Sequence, residues 1–359
     1  MNAVDVPCRE SNATAVEHAP SRILFSVIIP TLNEEGLIGR CLDALSRMNF
    51  PKEDFEIIIV DNGSSDRTLE IAESYAVALN LRILQRPRVY VSGLRNLGAA
   101  AARGEYLAFL DADVIVPRDW MCSAHAALKQ KNVGVVGGPY HIPGNSSWVA
   151  EIWFEYRKPY ESGHVSYLAS GNLFISRTLF MRFAGFDETI ETNEDYEFCQ
   201  RVREAGLPIQ AFPELGVEHL GTPQRLSAFY RQQRWHGTHV FRVFLRNPLK
   251  LPNAKAVFFA LYTLICLIGV FYGLGSFATA GRFQTLFVSL LALLLMPMAL
   301  SLGVAFSRGR WINFFPLTLL HLTYGVARAL CLLNYRAWAG GKKSRASQRD
   351  KQLAFGEKA

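Results

Sequence analysis

The sequence lacks the motifs that mark several common kinds of site. Its six cysteines are scattered without a C-x-x-C pair, which argues against a zinc site or a disulfide framework and fits a reducing compartment. Neither a P-loop nor a G-x-G-x-x-G after a strand occurs, so no ATP or dinucleotide site is predicted. Residues 1–22 also lack the apolar core of a signal peptide, and we interpret them as a disordered N-terminal tail.

Acidic residues are absent from a long C-terminal stretch. No Asp or Glu lies between Glu218 and Asp350, whereas the same stretch holds sixteen Lys and Arg. A block of one charge sign indicates an anionic surface, either nucleic acid or membrane. Residues 256–280 and 283–307 carry no charge, and each run is longer than the roughly 20 residues that cross a bilayer. The sequence therefore predicts a membrane protein with no nucleic-acid partner.

A third apolar run, residues 312–333, is weaker because His321 and Arg328 interrupt it. Basic residues around the first two runs predict a hairpin with both ends in the cytoplasm, and the basic tail at 337–359 is expected there too. A third full crossing would put that tail outside. We therefore expect a multi-pass inner-membrane region at 255–336, with two spans and a third embedded helix whose orientation stays open.

The segment before the membrane region combines aromatic residues with arginines. Within 225–254, Phe229 and Trp235 alternate with Arg231 and Arg234. This pattern is typical of a basic amphipathic helix that lies on an anionic membrane surface. Residues 225–254 are therefore predicted to form an interfacial segment.

Residues 23–224 have a different character. Apolar runs of strand length, such as "ILFSVIIP" and "FEIIIVDN", alternate with segments of helical spacing. Continuous apolar strands of this kind predict an α/β domain with a mostly parallel, Rossmann-like sheet covered on both faces. Ligands bind such sheets beyond the carboxyl ends of the strands.

Polar side chains collect at three of the predicted strand ends. They are Thr31, Asn33 and Glu34 after the first strand, Asp61 and Asn62 after the second, and Asp111 and Asp113 after the fourth. Solvated loops would be the simplest explanation for one such group, but three groups favour a binding site. Acids in these positions suit a nucleotide held by ribose and base contacts, with Mg²⁺ or Mn²⁺ offsetting its phosphates.

Five motifs occur in a fixed order along the chain. They are "SVIIPTLNEE", "VDNGSSDRT", "GLRNLGAAAARGEYLAFLDADV", "SGNLFISR" and "NED". In this order they resemble the family 2 glycosyltransferases with the GT-A fold, over about residues 24–235. The resemblance implies that a sugar is transferred from a UDP- or GDP-sugar donor, with inversion and with a divalent cation.

The resemblance also implies roles for individual residues at the strand ends. The donor nucleotide site would comprise Pro30, Thr31, Asn33, Glu34, Asp61, Arg95 and Asp111. The metal site would comprise Asp113 and Asp111, with His219 as a further candidate. Leu32 stands where the family often has an aromatic residue, so base stacking at that position is not expected.

Two adjacent acids, Glu194 and Asp195, fall in the first turn of a predicted helix. Acids in that position often do no more than favour the helix dipole. The resemblance instead implies a catalytic pair in which Asp195 is the general base that takes the proton of the acceptor hydroxyl. The helix-dipole role predicts little change in turnover when the carboxylate is removed, whereas the general-base role predicts a large loss.

Two further segments are implied to meet the sugar and the acceptor. Gly171 and Asn172 in "SGNLFISR" would shape the sugar and acceptor pocket. The stretch "RQQRW" resembles the Q-x-x-R-W motif of processive family members, which makes Arg234 and Trp235 acceptor-site candidates. Arg231 replaces the Gln of that motif, so processive synthesis is not predicted.

Together these features predict a membrane-bound inverting glycosyltransferase with a cytoplasmic catalytic domain. Its acceptor would be lipid-linked or a glycan, in the synthesis of a surface polysaccharide or glycolipid. One alternative is a polyprenyl-phosphate sugar synthase similar to dolichol-phosphate-mannose synthase, in which the lipid phosphate itself is the acceptor. Another is a membrane scaffold that binds nucleotide without turnover.

Overall fold

A computed structural model describes residues 23–130, 132–157, 162–237 and 251–333. The predicted N-terminal tail, residues 238–250 of the predicted interfacial segment and the basic C-terminal tail lie outside these residues. The described residues form two compact units. Unit one comprises 23–130, 132–143 and 162–221, and unit two comprises 144–157, 222–237 and 251–333.

Unit one is built on an eight-stranded sheet and a three-stranded sheet. The strands are β1 (Phe25–Thr31), β2 (Phe55–Asp61), β3 (Leu81–Gln85), β4 (Tyr106–Leu110), β5 (Val114–Ile115), β6 (Val135–Gly137), β7 (Tyr140–His141), β8 (Gly163–His164), β9 (Asn172–Ser176), β10 (Ile209–Ala211) and β11 (Val217–His219). The large sheet has the order β3-β2-β1-β4-β9-β6-β10-β8 and the small one β5-β11-β7. Within the large sheet only β9 and β8 run antiparallel to their neighbours, so the predicted mostly parallel sheet is confirmed.

Six helices cover the two faces of the large sheet. They are α1 (Ile38–Ser46), α2 (Thr68–Ser74), α3 (Val91–Ala101), α4 (Trp120–Leu128), α6 (Arg177–Arg182) and α7 (Glu194–Glu204). Successive strand residues point to opposite faces, so Val27 and Ile29 join one buried cluster and Ile28 joins the other. Helix α3 packs tightly on the second face, because a Cβ at Gly98 would lie 2.4 Å from Cγ2 of Ile28.

A buried carboxylate ties three segments together within unit one. Glu56 is fully buried and accepts hydrogen bonds from Ser26 Oγ at 2.7 Å and from the Arg103 backbone N–H at 2.7 Å. Arg103 and Arg82 also place guanidinium nitrogens 2.9 and 3.2 Å from Glu56 Oε2. Burial alone would raise the pKa of Glu56, but these hydrogen bonds and charges lower it below its ordinary value. The charged form is therefore the one that the fold stabilises.

Unit two consists of five described helices. They are α5 (Trp148–Arg157), α8 (Leu226–Gly237), α9 (Leu251–Ala280), α10 (Gln284–Arg308) and α11 (Phe314–Leu332). Segments Ala254–Ala280, Gln284–Arg308 and Trp311–Leu332 are long and apolar enough to cross a membrane. Each of the three apolar runs is therefore a helix, and the bounds of the first two agree with the predicted spans.

Helix α5 belongs to unit two, although the sequence placed it in the catalytic domain. The reason is its apolar side: the Trp153 ring lies 4.8 Å from Phe229 of α8 and 5.9 Å from Tyr324 of α11, centroid to centroid. Glu155 of the same helix pairs with Arg310 and accepts a hydrogen bond from Asn313. The predicted boundary after residue 224 lies close to the observed one after Gly221.

Four of the cysteines in the described residues, Cys41, Cys199, Cys266 and Cys331, are free and buried.

Candidate functional site

The strand order of the large sheet reverses between β1 and β4, which is where open α/β sheets have their ligand crevice. Strand β1 pairs with β2 as far as Thr31, but with β4 only as far as Ile28. Beyond Ile28 the two strands separate, and Pro30, which has no N–H to donate, stands where the second ladder is lost. Crevices of this kind outside the carboxyl ends of parallel strands are where ligands bind.

One wall of the crevice is a pair of interlocked loops after β1 and β2. The buried Asp61 carboxylate accepts hydrogen bonds from Gly63 N at 2.8 Å and from the hydroxyl and N–H of Ser64. Asn33 has a left-handed backbone with φ of 55°, which Asn tolerates, and its N–H donates to Ser64 Oγ at 2.9 Å. Asp61 therefore fixes the shape of this wall with both of its oxygens.

Thr31, at the end of β1, offers a hydroxyl to that wall, and Glu34 fixes the loop that follows. Thr31 is buried and its hydroxyl has no hydrogen-bond partner among the described residues. The N–H of Glu34 donates to Thr68 Oγ1 at 2.7 Å, which fixes the loop against the start of α2. A buried hydroxyl without a partner at a strand end is an available contact for a ligand.

Asp111 and Asp113 lie at the end of β4, where the chain turns. The N–H of Val114 donates to the carbonyl of Asp111 at 3.3 Å, so the strand does not continue through the two acids. The small sheet pairs His219 with Val114, and His219 Nε2 lies 3.6 Å from Asp113 Oδ2. The three predicted metal residues, Asp111, Asp113 and His219, thus come from one turn and the strand beside it.

Arg95 on α3 connects this turn to the predicted catalytic helix. Its side chain is 4% exposed, its Nη2 lies 2.6 Å from Asp111 Oδ1, and its Nη1 lies 2.6 Å from Glu194 Oε1. A buried charge is stable only when it is paired and hydrogen-bonded. The guanidinium therefore holds two carboxylates from distant parts of the chain in a fixed arrangement.

The acids of the E-D pair have different environments at the start of α7. Glu194 is buried, and it accepts a further hydrogen bond from Ser170 Oγ at 3.2 Å. Asp195 is half-buried and accepts hydrogen bonds from Tyr196 N at 2.7 Å and Ser170 N at 3.3 Å. Ser170 thus contacts both acids.

Burial raises the pKa of both carboxyls. For Glu194 the pKa rises to about 7, because burial and the neighbouring charge of Asp195 outweigh the attraction of Arg95. For Asp195 the pKa is raised by burial, against the hydrogen bond from Tyr196 and the charge of Arg95. A carboxylate with a raised pKa is a better proton acceptor near neutral pH than an ordinary one.

Gly171 lies directly against Asp111. A Cβ at this position would come 2.2 Å from Asp111 Oδ2 and 2.5 Å from the Tyr140 hydroxyl, distances that real Cβ atoms do not reach. Its carbonyl also accepts a hydrogen bond from the N–H of Asp111 at 3.3 Å. Only glycine therefore leaves room for the Asp111 carboxylate as it stands.

Asn172 serves the interior rather than a pocket. It is 1% exposed, its Oδ1 accepts from Trp120 Nε1 at 3.0 Å, and its Nδ2 donates to the carbonyls of Leu215 and Gly138. Both hydrogens of the amide are used by the protein. The structure therefore does not support the predicted contact of Asn172 with sugar or acceptor.

The remaining predicted acceptor residues lie in unit two. Arg234, which is exposed, and Trp235 are on α8. Two residues that the sequence did not single out do border the site in unit one. Ser170 stands in the quoted "SGNLFISR" motif next to Gly171, so its position was available as a signal. Tyr140 carried no signal, because the small sheet that brings it to His219 is formed by residues distant in sequence.

The residues present fit a hard divalent cation that also binds phosphate. No group of three acidic, His or Cys side chains in the described residues is arranged to enclose a cation by itself. Mg²⁺ commonly takes only one or two carboxylates and completes its shell with substrate phosphates and water. Asp113 Oδ2 and His219 Nε2, 3.6 Å apart, are close enough for one ion at about 2.1 Å to contact both.

Unit one is similar in sequence to known glycosyltransferases. Residues 26–190 match the family model described as Glycosyl transferase family 2. Glycosyltransferase AglE of Haloferax volcanii is 30% identical over 190 residues, which cover 51% of this chain and 62% of that protein. Validoxylamine A glucosyltransferase of Streptomyces hygroscopicus subsp. limoneus is 38% identical over 242 residues, covering 57% of this chain and 52% of that protein.

The fold has also been seen before. The mannosyltransferase PcManGT from Pyrobaculum calidifontis, solved in complex with GDP-Man and Mn²⁺, matches with a TM-score of 0.58. The two chains are 19% identical and the match covers 92% of each, so the likeness is one of fold. The chain spans 62% and 52% of the two relatives named above, which are therefore longer than the part they share with it. The family match and the sheet topology fall on the same residues, so unit one has a GT-A-like fold and is similar to family 2 glycosyltransferase domains.

Proposed function

We propose that the protein is a membrane-bound, inverting glycosyltransferase that moves a sugar from a UDP- or GDP-sugar to a lipid-linked or glycan acceptor. The observation that carries this proposal is the buried Arg95, which joins Asp111 at the sheet end to Glu194 at the start of α7. The guanidinium fixes a strand-end acid suited to a donor beside a pair of acids suited to proton transfer. Burial raises the pKa of both acids of the pair, as is common for carboxyls that transfer protons.

The chemistry assigned to the E-D pair is proton transfer. Asp195 takes the proton of the acceptor hydroxyl while the acceptor oxygen forms a bond to the anomeric carbon. The bond from that carbon to the nucleoside diphosphate breaks, and the diphosphate leaves with the electron pair. Asp195 is the better base of the two because it is half-buried, whereas Glu194 is buried and paired with Arg95. Attack on the face opposite the leaving group inverts the configuration.

The donor side is assigned to the crevice between β1 and β4. The unpartnered Thr31 hydroxyl and the loops fixed by Asp61 would contact the nucleoside. Asp113, Asp111 and His219 would hold Mg²⁺ or Mn²⁺, which when bound offsets the charge on the leaving diphosphate. Gly171 keeps the Asp111 carboxylate in place, and Arg95 keeps it oriented.

The membrane assignment rests on unit two. Three helices are long and apolar enough to cross a membrane, and the chain has no acid between Glu218 and Asp350. Basic residues before the first span and after the second favour the cytoplasmic side for both ends of that hairpin. We therefore propose a multi-pass protein of the inner membrane with its catalytic domain in the cytoplasm, acting in the synthesis of a surface polysaccharide or glycolipid.

The test is release of nucleoside diphosphate by membranes that contain the full chain. A panel of UDP- and GDP-sugars is supplied with Mg²⁺ or Mn²⁺ and a lipid extract, for the native protein, Asp113→Ala, Asp195→Asn and the surface control Glu53→Gln. We expect release from one donor that EDTA abolishes, that falls by a factor of about 10² or more in both site variants, and that the control retains.

Three results would decide otherwise. Nucleotide binding without release from any donor would favour the scaffold. Release that survives EDTA would remove the cation from the proposal. An acid-labile product that carries one sugar on a lipid phosphate would assign the chain to the polyprenyl-phosphate sugar synthases.

A further inference from the structure

A group of cationic and polar side chains surrounds Arg328 in unit two. Arg328 lies four residues before the end of α11 at Leu332, or about 6 Å along the helix axis. Its guanidinium carbon is 4.9 Å from the centre of the Tyr324 ring, and its Nη2 is 3.4 Å from Oε1 of the buried Gln233. A Cβ at Gly237 would lie 3.1 Å from Arg328 Cδ, so α8 and α11 hold this side chain closely between them.

The guanidinium of Arg328 is not satisfied by these neighbours. Its Nε and Nη1 are buried and have no hydrogen-bond partner in the part of the chain that the structure describes. The described acids of unit two are Glu151 and Glu155, and Glu155 is engaged by Arg310. An arginine near the end of a membrane helix with two buried nitrogens left without hydrogen bonds is costly, and such residues often mark functional sites.

Further positive charge lies next to Arg328. Burial lowers the pKa of His236 on α8 to about 3, and the charges of Arg328 and Arg157 act in the same direction. His236 is therefore neutral at physiological pH and still has ring nitrogens to offer. Arg157 lies at the exposed end of α5. The group thus contains two arginines from two helices.

We propose that Arg328, Arg157, Gln233 and His236 bind the phosphate group of a lipid. Phosphate oxygens match guanidinium donors in charge and geometry. They would accept hydrogen bonds from Arg328 Nε and Nη1, which have no partner in the described residues. A neutral headgroup would leave both cations uncompensated. This site deepens the proposed function, and it depends on that function only for the statement that the lipid is an acceptor.

Lipid binding to the purified full chain in detergent tests the site without any nucleotide sugar. The probes are a polyprenyl phosphate, the matched polyprenol, phosphatidylglycerol and inorganic phosphate, measured by native mass spectrometry. We expect the polyprenyl phosphate to bind and Arg328→Gln to weaken it by about 10- to 100-fold, as for the loss of hydrogen bonds to a charged group. Arg328→Lys should lose less.

The matched control is Arg282→Gln, which removes one exposed positive charge between α9 and α10 and should leave binding unchanged. If Arg328→Gln does not fold, as judged by size exclusion and thermal melting, the exposed Arg157→Gln decides, with an expected loss of about 3- to 10-fold. Equal binding by phosphatidylglycerol, lost in the same variants, supports the site and makes the bilayer its source of lipid.

The inference is overturned if polyprenol binds as well as its phosphate, if inorganic phosphate alone binds as tightly, or if neither arginine variant changes lipid binding. Its failure is separable from that of the proposed function. Diphosphate release with unchanged lipid binding in the variants would remove only this site. If the arginine variants lose lipid binding but the native protein releases no diphosphate from any donor, only the proposed transferase activity is contradicted.

Discussion

The guanidinium of Arg95 lies 2.6 Å from Glu194, a residue 99 positions further along the chain, and both side chains are buried. The same guanidinium holds Asp111 with its other terminal nitrogen. Fold and site are therefore connected through one side chain. Damage to Arg95 should be visible first as a loss of stability.

Arg95→Met should lower the free energy of unfolding by about 3–5 kcal/mol, because it leaves the buried Glu194 and the partly exposed Asp111 without their partner. Thermal melting in detergent would measure the loss. Arg86→Met is the control, since the Arg86–Glu188 pair is about 40% exposed on each side and contributes little. A melting temperature for Arg95→Met equal to that of the control would show that the buried pairs do not stabilise the domain.

Gly171→Ala should reduce kcat/KM by about 10²-fold while the protein stays folded. The new methyl group would displace the Asp111 carboxylate, and a displacement of about 1 Å in a site can cost that much. Steady-state kinetics with the preferred donor would measure it. Gly36→Ala is matched, because a Cβ there meets nothing within 4 Å. Full activity in Gly171→Ala would mean that the position of Asp111 does not matter for turnover.

The pH dependence of turnover should show an acid limb set by Asp195. Only its ionised form accepts a proton, and burial raises its pKa above the ordinary aspartate value of about 3.9. As pH falls through the raised pKa the base is lost, so kcat/KM should begin to fall at a pH where an ordinary aspartate would still be ionised. A profile of kcat/KM between pH 4 and 9 measures this. An acid limb at about pH 3.9 or below would contradict the assignment of Asp195, with its raised pKa, as the base.

Glu56 should make the stability of unit one fall at acid pH. Its folded-state pKa is lowered, so its contribution is complete above the unfolded value of about 4.3 and is lost as pH falls towards the folded pKa. Glu56→Gln should cost about 2–3 kcal/mol at pH 7, and the difference from the native protein should shrink below about pH 4.3. Melting temperatures across this range would measure it.

The control for Glu56 is Glu70→Gln on the surface. Glu70 pairs with Arg67 in solvent, with side chains 66% and 69% exposed, so its removal should leave the melting temperature unchanged. A difference between native protein and Glu56→Gln that stayed constant from pH 7 to pH 3 would show that the carboxylate charge is not what the cluster stabilises.

Local pattern was enough to predict the parallel sheet and the three apolar helices. The runs at β1 and β2 are apolar at almost every position, which only a sheet covered on both faces explains, and each membrane run is longer than a core helix. The turn at Asp111 was also foreseeable, because two acids one residue apart would otherwise face opposite sides of a buried strand.

Long-range packing was beyond the reach of local pattern. The resemblance placed Asn172 in the sugar and acceptor pocket, yet its amide is used by Trp120 and two carbonyls distant in sequence. Helix α5 looked like part of the catalytic domain because it lies within that stretch of chain, and only Trp153 packing on Phe229 assigns it to unit two. Each outcome depended on partners that no sequence window contains.

The chain enters unit two twice, first at residues 144–157 and again from Thr222 onward. A protein shortened after Gly221 to remove the membrane helices would still carry α5, with Val149 and Trp153 stripped of Phe229, Leu320 and Tyr324. Such a fragment would expose an aromatic stripe to water and should aggregate or adhere to detergent. Soluble production of the catalytic domain therefore requires two deletions, one at residues 144–157 and one after Gly221. During synthesis, more than sixty residues separate α5 from the start of α8, its first partner helix.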